Sequence, residues 1–475
     1  MQLNDALIKS VVQEVLAAMG QKLSSPSASV GSGQHGIFRT VDEACEAAAK
    51  AQAIFEKRPI EDRTKALDCI RKICREQAEE LGRLEFEETK IGRLEHKFEK
   101  LLVVADRIPG TEFLKTDTYS GSMGVALIEY APFGVIGAVT PVTHSLPTLA
   151  CNAINMLAAG NSVVVNPHPS GARIAVHGTR LFNQAIEKTI GIDNLICIIS
   201  EPTLESAQAL FDHKAIRMIC VTGGPAVGKA ALKSPKRAIV AGPGNPPVVV
   251  DETADLDHAA KSIIAGAAYD NNLLCIGEKE VFAVEAIFDK LMDAMEKAGA
   301  YRLNRDEIEK LTQAAFSGYG SDALRIGLNK ELIGKDATVL AQAAGIEMKR
   351  SSVLLYGETE ETNPFVDHEQ MMPFVPFVRV RNVDQAITLA KKYEHGYKHT
   401  AIIHSKNIET ITRMGKELDT TLFVVNGPCG AGLGNGGEGY LSYSIATPTG
   451  EGVTTPLTFT RQRRFTVAHG AMRIL

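Results

Sequence analysis

Short apolar runs alternate with stretches of helical periodicity over much of the chain. Between residues 134 and 221, runs bounded by Gly, Pro or polar residues predict strands at 134–140, 162–165, 195–199 and 216–221. The stretches between them predict helices at 146–159, 172–187 and 205–211. Strands that alternate with helices form a parallel sheet with right-handed crossovers. The pattern therefore predicts the α/β class, with ligands bound beyond the carboxyl ends of the strands.

The flanking regions follow other patterns. The region before residue 112 is rich in Ala, Glu, Lys and Arg, as expected for helices with solvated charged faces. A second α/β unit runs from Cys275 to about residue 423, and a glycine-dense loop at 427–439 follows it. The elements predicted in these regions are helices near 41–55, 62–81, 84–104, 288–298 and 305–316, and strands near 116–132, 377–380 and 457–467.

The first residues have the pattern of an amphipathic helix. Apolar residues recur at helical spacing over 3–19, Gly20 is a natural stop, and residues 21–37 are rich in Ser, Gly and Pro, as in flexible linkers. The segment lacks the Arg-rich composition of a mitochondrial transit peptide and the basic start and unbroken apolar run of a secretory signal. We expect its apolar face to dock in a groove of another protein; folding back on its own oligomer is the alternative.

Composition and charge narrow the class of protein. A net charge of −5 gives no bulk attraction to nucleic acid or anionic membrane, and no apolar stretch is long enough to span a bilayer. The eight cysteines show no CxxC or Cys/His spacing of zinc type. They are expected to be reduced thiols of a cytoplasmic protein, and no metal site is predicted.

The chemistry is predicted at Cys275. This residue follows two amides and two leucines, in a turn between a predicted helix and the apolar run 281–284. A thiolate there is a strong nucleophile, and its pKa falls where backbone N–H groups or positive charge surround it. The alternative is a small buried hydrophobe, the fate of most lone cysteines.

A glycine-rich turn at 220–229 follows one predicted strand. Its glycines allow a ligand to approach the backbone, and the helix that opens there offers free N–H groups and a partial positive charge. The spacing is neither G-x-G-x-x-G nor a Walker loop. A plain strand–helix turn therefore explains it about as well as a nucleotide site.

Taken together, the motifs resemble those of the aldehyde dehydrogenase superfamily. The resemblance is closer to its CoA-acylating branch, the propionaldehyde and acetaldehyde dehydrogenases of bacterial microcompartments, and it runs from about residue 38 to the C terminus. The N-terminal helix and linker are similar to the encapsulation peptides that carry such enzymes into protein shells. The motifs are TPVT (140–143), NPHP (166–169), GGPAVG (223–228), GPGNPP (242–247), NNLLCIGEK (271–279), EQMMP (369–373) and PTGEG (448–452).

The resemblance implies roles for individual residues. Cys275 matches the catalytic cysteine, Gly223 and Gly228 match the nucleotide loop, and Glu369 matches the glutamate that holds the nicotinamide ribose. The full set implied to bind cofactor is Thr140, Pro141, Asn166, His168, Gly223, Gly224, Gly228 and Glu369.

Two positions depart from the hydrolytic members of the superfamily. Those members carry a glutamate general base 34 positions before the cysteine, where this chain has Ala241. Without it no carboxylate can activate water against a thioester, and the acyl group is expected to leave on the CoA thiolate. Hydrolytic members also hold the oxyanion with an asparagine side chain, and that place falls here on Thr143, next to His144.

The resemblance also implies a domain organisation. The chain is expected to form a homo-oligomer, dimer or tetramer, inside a bacterial microcompartment of the cytoplasm, with residues 1–20 bound to a shell protein. The implied domains are a targeting helix (1–20), a flexible linker (21–37), a Rossmann-type NAD/CoA-binding domain (38–245, with an oligomerisation hairpin at about 116–132), an α/β catalytic domain (246–450) and a small β oligomerisation arm (451–475).

The implied reaction is the oxidation of a short aliphatic aldehyde, propanal or acetaldehyde, with NAD and coenzyme A. It proceeds through a Cys275 thioester and yields acyl-CoA and NADH. One rival is a hydrolytic NAD(P)-dependent aldehyde dehydrogenase, against which Ala241 counts. The other is an inactive shell-associated binding protein, against which the retained cysteine and glycine loop count.

Overall fold

The computed structural model describes residues 33–319 and 326–470. The predicted targeting helix and most of the linker lie outside this part of the chain, and both stay predictions. Among the described residues no helix combines the length and the apolar character needed to cross a membrane.

One parallel sheet forms the first α/β unit, with every neighbouring pair of strands parallel. Its strands lie side by side in the order Ile37–Phe38, Ile196–Ile199, Ser162–Pro167, Val135–Thr140, Ile216–Thr222 and Arg237–Ala241. Apart from the edge strand Ile37–Phe38, chain order runs outward in both directions from the gap between Val135–Thr140 and Ile216–Thr222. This gap is the switch point at which doubly wound sheets bind ligands beyond the strand ends.

A second parallel sheet follows in the chain. Its central strands are buried on both faces, which explains their short, unbroken apolar runs in the sequence. The strand order is Tyr301–Arg302, Leu355–Glu358, Phe374–Val380, Glu280–Val284, Pro247–Val250, Thr400–His404 and Leu422–Val425. The two sheets confirm the predicted α/β class.

Helices flank the two sheets. The helices of the first unit are Val41–Phe55, Ile60–Glu76, Ala78–Thr89, Leu94–Arg107, Ser145–Ala158, Ala172–Ile190, Leu204–Asp212 and Pro225–Lys233. Those of the second are Leu256–Ala267, Phe288–Lys297, Arg305–Ala315, Ala337–Ala343, Pro364–Asp367, Val383–Tyr393 and Ile408–Leu418.

The predicted helix at 41–55 is confirmed, whereas the bounds predicted for 62–81 and 84–104 are wrong. The chain forms three helices over this stretch because the middle one, Ala78–Thr89, ends at Lys90 and Gly92, whose φ angles are 56° and 81°. Left-handed backbone of this kind stops a helix.

A separate three-stranded antiparallel sheet, called the antiparallel arm below, accompanies the two parallel sheets. It pairs Asp117–Gly121 with Gly124–Pro132, and Gly124–Pro132 with Thr460–Ala468. The predicted hairpin is confirmed. The closing strand begins later than predicted, at Thr460, because Pro456–Phe459 forms a 3₁₀ turn.

Candidate active site

Cys275 lies where the sequence places it, in the connection between the helix Leu256–Ala267 and the strand Glu280–Val284. Burial raises the pKa of its thiol to about 12, and the charge of Glu369 adds to the rise. Lys279 and the backbone N–H groups of Cys275 and Ile276 act in the opposite direction. Positive charge and backbone N–H groups are therefore present and lower the pKa, but burial outweighs them. At neutral pH the nucleophile therefore rests as a thiol.

Three consecutive residues before the nucleophile have left-handed backbone. The φ angles of Asp270, Asn271 and Asn272 are 48°, 56° and 64°, and such a conformation costs roughly 1–2 kcal/mol per residue. Asn and Asp tolerate it best because their short polar side chains form local hydrogen bonds. The two amides noted in the sequence thus shape the turn that presents Cys275.

Side chains hold this turn in place. The amide nitrogen of Asn271 donates to Asp336 Oδ1 at 2.8 Å and to the Gly334 carbonyl oxygen at 3.0 Å. The amide nitrogen of Asn272 donates to the carbonyl oxygens of Ala267 and Glu278, both at 2.9 Å. The strained backbone persists because the surrounding structure over-determines it.

Gly244 lies in close contact with the Cys275 main chain, His399 and Glu369. A Cβ atom at this position would lie 2.4 Å from the Cys275 carbonyl oxygen and 3.0 Å from Cγ of His399. The Gly244 N–H donates to the Glu369 carboxylate. Lys279 is fully buried, donates to the Asn272 carbonyl oxygen at 2.8 Å, and acts electrostatically on Cys275 and Glu369.

His399 is a candidate functional residue that the sequence does not reveal. It lies immediately before the strand Thr400–His404, where no motif marks it. Its Nδ1 shares a hydrogen bond with the Thr400 hydroxyl at 2.8 Å, whereas its buried Nε2 has no hydrogen-bond partner among the described residues. Burial, together with the charge of Lys279, lowers its pKa to about 4. The ring is therefore a neutral imidazole beside the Cys275 main chain, with one nitrogen free to accept a proton.

Predicted cofactor residues gather at the carboxyl edge of the first sheet. Thr140 ends its strand opposite Pro167, and the His168 N–H donates to the Thr140 carbonyl oxygen at 3.0 Å. Pro141 follows directly and is half-buried. The buried Thr140 hydroxyl has no hydrogen-bond partner in the described part of the chain, and it lies at the switch point of the sheet.

Asn166 is engaged within the protein. Its Oδ1 accepts a hydrogen bond from the Ser206 hydroxyl at 2.6 Å, and its amide nitrogen donates to the Thr203 carbonyl oxygen at 3.4 Å. Asn166 therefore braces the start of the helix Leu204–Asp212. Its predicted contact with cofactor stays a prediction.

The glycine loop fits a nucleotide. Gly224 caps the helix Pro225–Lys233, and within the described residues no atom lies within 4 Å of the place where its Cβ would be. At Gly223 the nearest such atom is Cγ1 of Val139, at 4.0 Å. Gly228 differs, because its Cβ would lie 3.0 Å from Val240, so it allows the helix to pack closely on the sheet. Open backbone N–H groups and the orphaned Thr140 hydroxyl suit a phosphate-bearing cofactor.

Thr143 and Ala241 lie at the same edge. Thr143 is half-buried between its strand and the helix Ser145–Ala158, and its carbonyl oxygen accepts a hydrogen bond from Lys97 at 2.9 Å. Ala241 ends the strand Arg237–Ala241 and is 8% exposed. The role of Thr143 as oxyanion donor stays a prediction.

A cavity of about 250 Å³ lies next to the turn that carries the nucleophile, although Cys275 itself is not one of the residues that line it. Leu274 and Ile276, the two neighbours of Cys275, both line it, and the glycine-dense loop supplies much of the opposite wall. Its mostly apolar lining suits the carbon chain of a small ligand. The remaining lining includes Val103, Tyr269, Cys429, Leu433, Leu441 and Tyr443.

This combination is typical of a class of protein: an α/β fold with a candidate nucleotide loop and a cysteine presented on a strained turn. A model of the aldehyde dehydrogenase family matches residues 25–439, and the chain belongs to that family. It is 42% identical over 463 residues to the acetaldehyde dehydrogenase (acetylating) EutE of Escherichia coli (strain K12), covering 97% of this chain and 98% of the relative.

Solved structures agree with this assignment. A propionaldehyde dehydrogenase from the Clostridium phytofermentans fucose utilisation bacterial microcompartment superposes with a TM-score of 0.89 at 42% identity, over 93% of this chain and 100% of that one. A propionaldehyde dehydrogenase of Rhodopseudomonas palustris, with bound CoA and an acylated cysteine, gives a TM-score of 0.88 at 42% identity, over 92% of this chain and 99% of that one.

Proposed function

We propose that this protein is a CoA-acylating aldehyde dehydrogenase. It oxidises a short aliphatic aldehyde, propanal or acetaldehyde, with NAD and coenzyme A to acyl-CoA and NADH. The observation that carries the proposal is a cysteine surrounded by N–H donors in a site where Ala241 stands in place of a general base. The acetylating activity named for the E. coli relative, and the CoA and acylated cysteine of the R. palustris structure, support it.

The first half of the reaction forms a bond to sulfur. The aldehyde approaches Cys275 with its carbon chain directed toward the neighbouring apolar cavity. The Cys275 thiol gives its proton to His399 Nε2, and the sulfur adds to the carbonyl carbon. The resulting oxyanion is stabilised by the Cys275 N–H and the Thr143 hydroxyl. The Gly223–Gly228 loop would hold NAD, which would supply the hydride acceptor. Loss of the hydride restores the carbonyl and leaves a thioester on Cys275.

The second half releases the acyl group. His399, having lost its first proton to solvent, takes the proton of the CoA thiol. The CoA sulfur attacks the thioester carbon, and the Cys275 sulfur leaves and regains a proton. Ala241 offers no carboxylate to activate water in this interval, so the thioester persists until a thiol arrives.

The main test is the dependence of NADH formation on CoA. We expect sustained NADH formation only with CoA present, a single burst without it, and little free carboxylic acid. Cys275→Ala should abolish both the burst and the turnover, whereas Cys69→Ala, at a half-buried cysteine of the helix Ile60–Glu76, should retain both. Rapid turnover to free acid without CoA would reject the proposal, as would substantial NADH formation by Cys275→Ala. Rates for C2 to C4 aldehydes would identify the preferred substrate.

Location in a bacterial microcompartment is a further part of the proposal. Residues 1–20 bind a shell protein through their apolar face, and the microcompartment origin of the C. phytofermentans structure supports this. Deleting residues 1–20 should abolish co-purification with shell proteins and leave turnover unchanged. If the truncated protein still co-purified with shell proteins, a segment other than residues 1–20 would be responsible for the binding.

The antiparallel arm is proposed to join copies of the chain. It exposes three large apolar side chains, Tyr119 (62%), Met123 (75%) and Phe465 (56%). Several large apolar side chains exposed on one small sheet are typical of a surface that another protein chain covers. Burying them in a homodimer or homotetramer removes that exposure. Phe465→Lys should shift the protein toward monomer in analytical ultracentrifugation.

A further inference from the structure

Two buried lysines connect the nucleophile turn to the segment that carries Thr143. Lys97 and Lys100 lie on the helix Leu94–Arg107, and the side chains of both are fully buried. Lys97 Nζ donates to the Thr143 carbonyl oxygen at 2.9 Å, and Lys100 Nζ donates to the same oxygen at 3.4 Å.

The same two ammonium groups hold Asp270, the first left-handed residue of the turn. Lys97 Nζ lies 3.3 Å from Asp270 Oδ2, and Lys100 donates a short hydrogen bond to the same oxygen. The other carboxylate oxygen of Asp270 accepts the Arg93 N–H at 2.8 Å. Each lysine therefore bridges two segments that are far apart in sequence, one ending in Thr143 and the other leading to Cys275.

A fourth charged group completes the cluster. Glu85, also buried, lies 3.8 Å from Lys97 and accepts the Ser145 and Leu146 N–H groups at 3.2 Å each, at the start of the helix Ser145–Ala158. Burial raises the pKa of Glu85 and lowers the pKa of Lys100, and the opposite charges within the cluster act against both shifts. Burial alone would raise the pKa of Asp270, but the charges of Lys100 and Lys97 lower it to about 2, so its carboxylate is ionised.

Burying four charges costs more free energy than packing apolar side chains of similar volume. A turn could also be closed by glycine without strain. The chain instead uses a strained aspartate whose carboxylate reaches the two cations that also hold the Thr143 backbone. A gain in stability does not explain this arrangement. The need to fix the distance between Thr143 and the turn that carries Cys275 does explain it.

We infer that Lys97, Lys100 and Asp270 are positioning residues that fix the Thr143 backbone relative to the strained turn carrying Cys275. This inference rests on the proposed function, in which Thr143 donates to the oxyanion on the Cys275 adduct. Asp270 acts through Thr143 and touches no reacting atom. Loosening the cluster should therefore matter only while the Thr143 hydroxyl is present.

A double-variant cycle on the NADH burst tests the inference. Asp270→Asn keeps the volume, one acceptor oxygen and tolerance of left-handed backbone, and removes the charge. Thr143→Val removes the hydroxyl and keeps the shape. We expect burst rates about 100-fold lower for Thr143→Val and about 10-fold lower for Asp270→Asn, with KM for NAD unchanged. The double variant should be within twofold of Thr143→Val alone, because Asp270 acts through the missing hydroxyl.

Effects that multiply to about 1,000-fold in the double variant would overturn the inference, as would a Thr143→Val variant with an unchanged burst. Asp336→Ala is the matched control: it removes the acceptor of the Asn271 amide and so loosens the same turn, and its effect should multiply with that of Thr143→Val. If Asp270→Asn does not fold, Lys97→Gln replaces it in the same cycle. The burst is measured without CoA, so a wild-type burst without CoA-dependent turnover would reject the proposed function and leave this test readable.

Discussion

Replacing Gly244 by alanine should disable Cys275 while leaving the protein folded. The new Cβ would lie 2.4 Å from the Cys275 carbonyl oxygen, whereas such contacts almost never fall below 3.0 Å. The peptide group between Cys275 and Ile276 must therefore move by at least about 0.6 Å. Main-chain atoms cannot rotate out of the way as a flexible side chain can.

That movement reaches the sulfur directly. The Ile276 N–H belongs to the displaced peptide group, and it is one of the two N–H groups that favour the Cys275 thiolate. The same Cβ would press on His399, whose Cγ lies 3.0 Å away. A misplacement approaching 1 Å costs about 100-fold in rate, or about 2.7 kcal/mol in the barrier.

The assay is the rate of the NADH burst at saturating aldehyde and NAD, together with thermal unfolding. We expect a burst about 100-fold slower for Gly244→Ala with a melting temperature close to that of the wild type. Gly121→Ala is the control, because no described atom lies within 4 Å of the added Cβ and its φ is not positive. A burst within threefold of the wild type for Gly244→Ala would refute the reasoning.

Two other substitutions change the carboxyl groups of this region: Glu278→Gln removes one and Ala241→Glu adds one. Burial raises the pKa of Glu278 from 4.5 to about 7; the native state then binds a proton that the unfolded chain releases between these values. The unfolding free energy should thus fall as pH rises from about 4.5 to 7, by about 3 kcal/mol. Glu278→Gln should therefore raise the melting temperature at pH 8 and not at pH 5; an equal shift at both pH values would contradict this. Ala241→Glu should introduce CoA-independent formation of carboxylic acid, measured by chromatography, and its absence would show that the position does not face the thioester.

The sheets could be predicted because buried parallel strands leave short apolar runs that end in glycine, proline or asparagine. Cys275 could be located because its turn separates a helix from such a run. Lys90 carries no sequence signal for left-handed backbone, and the helical periodicity continues on both sides. Gly92 is the available signal for the interruption, because glycine is the residue that most often ends a helix.

Several parts of the site depend on contacts between distant segments. Lys97, Lys100 and Glu85 have the spacing of ordinary helix-surface charges, and only the tertiary structure shows that they are buried. His399 has no local motif, and its neutral state follows from burial beside Lys279. The sequence could not predict that the pKa of Cys275 is raised, because burial and local charge act in opposite directions and their balance depends on packing.

The acidity of the group that accepts the acyl chain is itself a source of specificity. A neutral imidazole with a pKa of about 4 is a poor acceptor for the proton of water. A thiol of pKa about 8.5 is easier to deprotonate than water, of pKa about 15.7, by roughly 10 kcal/mol. With Ala241 in place of a stronger base, the site can accept a proton from CoA at a far smaller cost than from water. The choice between acyl transfer and hydrolysis then follows from the acidity of the two acceptors, even if water reaches the thioester.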